Sequence, residues 1–241
     1  MIRHPFPGVL LGLLTLAGLA GAQYLIWFYA PVEQTMGMVQ KIFYTHVPLA
    51  WWGFVAFFLV FLGSLGYVWK KNPTFDIMAR AAAEVGVLFF TLVLLTGIIW
   101  ARASWNTWWT WDPRLSTALV MWFMYCGYLV LRNAGLDTHR LRMLCAVLGL
   151  VAFLDVPLVF ASARLWRSIH PAVFASKGGG LPPEMGLTVG VSVLAWGGLF
   201  ALLVLVRFSQ LRLRTAIDEG FARIQLSRGK AEYFHDNEER F

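Results

Sequence analysis

Residues 47–69 read VPLAWWGFVAFFLVFLGSLGYVW, a run without a single charged side chain. An α-helix of roughly 20 apolar residues crosses the ~30 Å hydrocarbon core of a bilayer. This run is therefore long enough to span a membrane, and comparable runs recur along the whole chain.

The composition favours the same class of protein. Hydrophobic residues make up 59% of the 241 residues and charged residues only 14%, too few to cover a water-soluble domain of this size. We predict an all-α polytopic membrane protein in which residues 1–206 form one six-helix domain and residues 207–241 a cytoplasmic tail. The predicted spans are 8–30, 47–69, 81–100, 115–131, 143–162 and 185–206.

The first predicted span has features of a signal peptide. Arg3 precedes an apolar run that contains the small residues Ala20, Gly21 and Ala22. The uncharged run continues to Ala30, beyond the length of a typical signal core, so we expect a retained helix.

The positive charge predicts the orientation of the chain. Fourteen Lys and Arg residues lie on the side of the two termini, and six lie on the other side. Excess positive charge stays cytoplasmic, so both termini are expected inside and residues 31–46, 101–114 and 163–184 outside. The net charge of +7 is spread over short patches between apolar runs, a layout that argues against nucleic-acid binding.

The cysteines exclude several kinds of site. Cys126 and Cys145 both fall inside apolar runs and form no CxxC pair. A disulfide framework, a zinc site and a thioredoxin-like motif are therefore unsupported. The chain has no CxxCH motif, so it does not itself attach haem covalently.

Tryptophan is concentrated in one short stretch. Five of the 12 tryptophans occur within twelve residues, and most of the others lie near the same side of the membrane. An interfacial aromatic belt explains some of them, but a belt predicts tryptophans at both membrane interfaces and not mainly at one. We expect a short interfacial helix that presents a flat indole surface to a planar, largely apolar ligand. The five are Trp100, Trp105, Trp108, Trp109 and Trp111.

Polar residues follow this stretch directly. Asp112 and Pro113 suit the N-cap and first position of the fourth span. Arg114 is our preferred partner for a ligand carboxylate such as a haem propionate, because a guanidinium pairs with carboxylates in a bidentate fashion. Three other arginines on this side are alternatives: Arg102, Arg164 and Arg167.

Two of the five histidines, His46 and His170, are expected on the outer side. Pro48 lies two residues after the first and Pro171 directly after the second, which favours an extended turn that aims each side chain. Together the two imidazoles can supply both axial ligands of a haem iron. Two interfacial histidines with solvent partners are the alternative.

Two acids fall inside the predicted spans. Asp155 is a functional candidate because an ionisable group in a span is costly, although it can also stabilise the kink at Pro157. Glu84 lies four residues after Arg80, so a local ion pair is the favoured explanation.

The stretch WNTWWTWDPRLS at residues 105–116 resembles the tryptophan-rich WWD signature of haem-handling proteins. It departs from that pattern at Asn106, where glycine is usual, and at Ser116, where threonine is usual. KIFYTHVP at 41–48 and LWRSIH at 165–170 are similar to the histidine segments of the CcmC (haem exporter protein C) family of cytochrome c maturation. In that family a second tryptophan usually occupies the position of Leu165, and glutamine usually occupies the position of Pro171.

This resemblance implies a specific role. The protein would bind haem b non-covalently at the periplasmic face of a bacterial inner membrane, with His46 and His170 as axial iron ligands. Trp100, Trp105, Trp108, Trp109, Trp111, Asp112 and Arg114 would complete the site. It would work beside CcmA, CcmB and CcmD and deliver haem to the chaperone CcmE, whose own histidine bonds a haem vinyl group. Such a protein is more a haem-transfer protein than a conventional enzyme.

Three other functions stay open at this point. An electron-transferring cytochrome b or quinone oxidoreductase also carries histidine pairs, but usually on facing helices inside the bundle. A haem or solute transporter commonly shows repeats and broken helices around a midplane site, and the sequence has no repeat. A purely structural membrane subunit predicts that the tryptophans can be replaced by leucine without loss of function.

Overall fold

The computed structural model describes residues 6–135, 138–166, 168–170 and 181–238, of which 6, 7, 163, 164 and 226–238 are described by their backbone alone. This part of the chain is all-α, as predicted, and contains no β-strand. A π-helical turn at Leu25–Tyr29 follows the first helix, and a 3-10 turn at Met38–Ile42 precedes the second. The helices are α1 (Phe6–Tyr24), α2 (Phe43–Lys70), α3 (Pro73–Trp105), α4 (Pro113–Asn133), α5 (His139–Phe153), α6 (Asp155–Leu165) and α7 (Pro183–Glu238).

Six segments of the described chain are long and apolar enough to cross a bilayer, so the predicted number of spans is confirmed. The chain is therefore a multi-pass membrane protein. Because α7 runs on to Glu238 as one helix, the predicted boundary between membrane domain and tail at residue 206 stays a prediction. The last three residues of the predicted tail, 239–241, lie outside the described part. The six segments are Gly8–Tyr29, Met38–Lys70, Pro73–Trp105, Pro113–Asn133, His139–Ser162 and Pro183–Gln225.

The fifth span is made of two helices, which meet close to the kink that the sequence predicts at Pro157. α5 ends at Phe153 and α6 begins at Asp155, two residues before Pro157. Proline has no N–H to donate to the carbonyl four residues earlier, and its ring clashes with that carbonyl. The break at Leu154 is the local consequence.

The tryptophan-rich segment is not the short helix that was predicted. α3 ends at Trp105, and Asn106 has a left-handed backbone with φ +57°. α4 begins at Pro113 and is capped by Asp112. Only residues 107–111 remain between the two caps, too few for a helix of two turns, and they are irregular.

Small residues bring α2 and α3 into close contact. A methyl group on Gly63 would lie 2.7 Å from the carbonyl oxygen of Phe75, and one on Gly86 would lie 2.9 Å from the methyl of Ala56. Helices in membranes associate through such small-residue contacts because lipid offers no hydrophobic driving force. The pair is therefore a tightly packed hairpin, and both of its helices contribute to the site described below.

The helices alternate in direction, so the bundle has two ends. The histidine end comprises the start of α2, the α3–α4 connection and Ser168–His170; the arginine end comprises the α2–α3 connection, the end of α4 and the start of α5. At the arginine end, a guanidinium N–H of Arg132 donates to Asp76 and both side chains are buried. Arg142 lies 3.8 Å from the same carboxylate. The predicted pair of Arg80 and Glu84 forms as well, at 3.2 Å, and Arg207 of α7 also donates to Glu84.

We expect the Asp76→Ala variant to be strongly destabilised, because it leaves the buried guanidinium of Arg132 without its counter-ion. Removing one partner of a buried ion pair costs about 3–5 kcal/mol. The measurement is the midpoint of unfolding in a detergent titration. Asp218→Ala, which removes an exposed carboxylate from α7, is the matched control and should keep the wild-type midpoint. Equal midpoints for both variants would contradict the expectation.

Candidate functional site

The histidine end assembles residues from distant parts of the sequence. His46 lies in the first turn of α2, the tryptophan segment joins α3 to α4, and Ser168–His170 follows α6. The alternating direction of the helices brings these parts to one end, as the sequence predicts for the outer loops.

The structure brings His46 and His170 together. The centres of their rings are 6.4 Å apart, with an angle of 34° between the ring planes. Arg114, at the start of α4, is close enough for its charge to act on the His46 ring. The preferred arginine of the sequence prediction therefore lies at the same end of the bundle as the histidine pair.

His46 does not lie in the extended turn that was predicted. It is helical, and α2 continues through Pro48 without interruption. A proline restricts the residue directly before it, which is Val47. The restriction therefore falls on Val47, one residue after the histidine. Val47 is nevertheless helical, because it lies within α2. His170 is not helical, and Pro171 lies outside the described residues.

A lysine anchors the segment that leads into α2. The ammonium group of Lys41 is buried and donates to the carbonyl oxygen of Ile26, with the oxygen of Trp27 at 3.5 Å. It also lies 5.4 Å from the centre of the Trp27 ring. These carbonyls belong to the π-helical turn at the end of the first span, and the last carbonyls of a helix have no partner within it. The first span is thereby tied to the turn just before His46.

Asp112 connects the tryptophan segment to the His170 segment. Its Oδ1 accepts hydrogen bonds from the backbone N–H of Arg114 at 2.9 Å and from the hydroxyl of Ser168 at 3.0 Å. Its Oδ2 accepts from the backbone N–H of Ile169 at 2.8 Å. The predicted N-cap role is thus confirmed, and the same carboxylate holds the residues next to His170.

The protein environment keeps Asp112 charged. Burial raises the pKa of the carboxyl, but the hydrogen bonds from Ile169, Arg114 and Ser168 outweigh it and hold the pKa below its ordinary value. A depressed folded-state pKa stabilises the fold above the ordinary pKa of about 4. This contribution is lost as the pH falls through the depressed pKa, so it is fully present at neutral pH.

The five indoles do not form one flat face. Trp108 and Trp111 are 60% and 79% exposed, whereas Trp100, Trp105 and Trp109 are half-buried. Trp100 packs edge-to-face on Trp105 at 5.0 Å, and Trp109 on Trp111 at 6.1 Å. The aromatic surface is therefore built from two such pairs and the exposed ring of Trp108.

Arg102 holds the start of this segment. It donates to the backbone oxygen of Asn106 at 2.8 Å and lies 5.7 Å from the ring centre of Trp108. The left-handed backbone of Asn106 explains why glycine is usual at this position, and asparagine tolerates it better than most residues. Of the other candidate arginines, the side chain of Arg164 and all of Arg167 lie outside the described residues.

Thr96 is a site residue for which the sequence carries no distinct signal. Its hydroxyl oxygen lies 2.9 Å from Nδ1 of His46. A threonine in an apolar span ordinarily bonds back to its own helix, as Thr96 also does. Only the packing of α3 against α2 reveals the histidine as its second partner.

Comparison with known proteins finds similarity to one family over most of the chain. Residues 6–222 match the family model described as heme exporter protein C, CcmC. The heme exporter protein C of Bradyrhizobium diazoefficiens is 34% identical over 69% of this chain and 63% of its own length, so the match spans less than two thirds of that relative. Heme exporter protein C of Escherichia coli K12 is 28% identical over 77% of this chain and 75% of its own length. A putative cytochrome c biosynthesis ccmC-like mitochondrial protein of Marchantia polymorpha is 29% identical over 73% and 71%.

We expect Asp112→Asn to loosen the His170 segment. An asparagine replaces one of the two carboxylate oxygens by an N–H₂ donor, so either the bond from the Arg114 N–H at Oδ1 or the bond from the Ile169 N–H at Oδ2 is lost. Loss of a hydrogen bond to a charged group costs about 1.5–3 kcal/mol, which corresponds to roughly ten- to hundred-fold faster amide exchange. The measurement is hydrogen exchange at Ile169.

Ser168→Ala provides the control for this variant, because it removes the hydroxyl's bonds to Asp112 and His170 but keeps the bond from the Ile169 N–H to the Asp112 carboxylate. It should change the exchange of Ile169 much less. Unchanged protection in Asp112→Asn would show that the carboxylate does not hold this segment.

Proposed function

The chain belongs to the haem exporter protein C (CcmC) family, and from this premise we propose that it holds haem at the histidine end of the bundle and delivers it to the chaperone CcmE for cytochrome c maturation. The observation that carries the proposal is the 6.4 Å separation of the His46 and His170 rings. The haem is cargo in this function and not a resident cofactor.

The separation suits two axial ligands of one iron. An imidazole nitrogen binds a metal ion at about 2.0 Å and lies roughly 1.2 Å from its ring centre, so two axial rings have centres about 6 Å apart. The described residues contain no cluster of three or more histidine, cysteine or acidic side chains that could hold a metal ion by themselves. A porphyrin, which supplies four ligands itself, needs only the two histidines.

The surroundings of the histidines fit the rest of a haem. The indole N–H of Trp109 and the hydroxyl of Thr110 are buried and lack a partner within the described part of the chain. Haem carries two propionates that can accept from such donors, and Arg114 adds a positive charge close to His46. The exposed rings of Trp108 and Trp111 offer apolar surface for the porphyrin plane.

The protein contributes positioning to the transfer. His46 and His170 hold the iron, the tryptophans Trp100, Trp105, Trp108, Trp109 and Trp111 support the plane, and Arg114 binds a propionate, so that one vinyl edge faces the docked chaperone. Correct positioning of two reactants accounts for large rate effects without an acid or base of the protein. Holding the haem too tightly would block its transfer.

The partners and the location follow from the same premise. We propose that the chain works in a complex with CcmA, CcmB and CcmD in the bacterial inner membrane. The fourteen-to-six distribution of positive residues supports cytoplasmic termini and a periplasmic haem site.

One observation favours the electron-transfer alternative. His46 lies in a membrane-spanning helix, as the ligands of a cytochrome b usually do. Its partner His170, however, lies in a short non-helical segment at the end of the bundle and not on a facing helix. Reduction of the bound haem by a quinol would support this alternative.

We expect His46→Ala and His170→Ala each to abolish the low-spin haem absorption of the purified protein, because each removes one axial ligand. The measurement is an optical spectrum after addition of haem in detergent. His139→Ala is the matched control, since His139 lies at the arginine end and bonds the Tyr67 hydroxyl at 2.9 Å. A double variant with a normal low-spin spectrum would refute the ligand assignment.

Replacement of Trp108 and Trp111 together by leucine should lower haem binding and the yield of covalent haem on CcmE, because leucine offers no flat ring for the porphyrin. The measurement is a denaturing gel stained for haem after incubation with the chaperone. Trp69→Leu, which replaces an 81% exposed tryptophan at the arginine end, is the control. Full transfer by the double variant would support a purely structural role.

A further inference from the structure

The Thr96 hydroxyl has contacts on two sides. Its oxygen lies 2.9 Å from Nδ1 of His46 and 2.7 Å from the carbonyl oxygen of Leu92. A carbonyl oxygen only accepts, and a hydroxyl has one proton to donate. Both contacts are hydrogen bonds only if the hydroxyl donates to Leu92 and accepts from the N–H of His46. The neutral imidazole then carries its proton on Nδ1.

Neighbouring groups at this edge of the ring agree with that proton position. The carbonyl oxygen of Val93 lies 3.1 Å from the Thr96 hydroxyl oxygen and is a second backbone acceptor for the hydroxyl proton. Gly97 leaves room for the ring, because a methyl group there would lie 3.3 Å from Cε1 of His46. α3 therefore offers the ring the hydroxyl oxygen of Thr96 as an acceptor, together with a close fit at Gly97.

We propose that Thr96 is a positioning residue that fixes His46 in the Nδ1–H tautomer and leaves the lone pair of Nε2 for a ligand. Its effect on haem rests on the proposed function, but the tautomer itself is a property of the haem-free protein. A histidine that binds a metal through one nitrogen usually donates the other N–H to such an acceptor, which orients the ring and raises its basicity.

The consequence is a measurable loss when the hydroxyl is removed. Thr96→Val keeps the shape of the side chain but offers His46 no acceptor. Loss of an outer-shell partner typically weakens metal binding by about 10–100-fold. Thr96→Ser keeps the hydroxyl and should restore haem affinity.

The chain contains a closely matched control in the same helix. The hydroxyl of Thr91 donates to the Val87 carbonyl at 2.8 Å and accepts from the indole N–H of Trp122 at 2.9 Å. Thr91→Val therefore removes the same group and leaves a similar buried donor unpaired, but it does not touch a histidine. It separates a general loss of stability from a specific effect on His46.

The test is nitrogen NMR of the full chain in detergent, with ¹⁵N-labelled histidine and the His46 signals identified by their loss in His46→Ala. We expect a protonated Nδ1 and an unprotonated Nε2 in the haem-free wild type, in Thr96→Ser and in Thr91→Val. In Thr96→Val we expect a mixture of the two tautomers. Haem titration of the same four proteins should show the loss of affinity in Thr96→Val alone.

The outcomes separate this inference from the proposed function. A protonated Nε2 in the wild type, or wild-type tautomer and haem affinity in Thr96→Val, would overturn the role of Thr96. The expected tautomers in a protein that binds no haem would uphold that role and refute the proposed function.

Discussion

The hydrocarbon core of a bilayer contains no water, so each polar group that enters it needs a partner from the protein. Backbone groups obtain theirs in helices, and several polar side chains obtain theirs across helix contacts. Arg132 is bound by Asp76, Trp122 by Thr91 and His46 by Thr96. Irregular backbone is correspondingly found between the helices, in the described segments that follow α1, α3 and α6. The last two of these segments supply Trp108, Trp109, Trp111 and His170 to the candidate site, and helices supply the rest.

One carboxylate links two of those segments. Asp112 begins α4, and it also accepts hydrogen bonds from Ser168 and Ile169, which follow α6. The tryptophan segment and the His170 segment are therefore held by the same side chain. A charged acceptor with three donors is a strong contact at a bundle end, where the backbone has few other partners.

The two candidate iron ligands are held in different ways. His46 is part of α2, which packs closely on α3 through glycine contacts. The ring of His46 is also hydrogen-bonded to Thr96 of α3. His170 lies in a short non-helical segment, whose neighbouring residues are held by Asp112. The proposed transfer of haem needs ligands that are oriented but that the partner can still reach. A site at the end of the bundle meets both requirements.

The sequence by itself determined the six spans, the Asp112 cap and the Arg80–Glu84 pair, because run length and contacts within four residues are local properties of the chain. It was wrong about the helix at Trp105–Trp111 and about the extended turn at His46, where caps and packing overrode the local pattern. Only the tertiary structure decided the 6.4 Å approach of His46 and His170 and the bond from His46 to Thr96. These contacts join residues 50 or more positions apart, and their distances depend on how the helices pack, which no local stretch of sequence specifies.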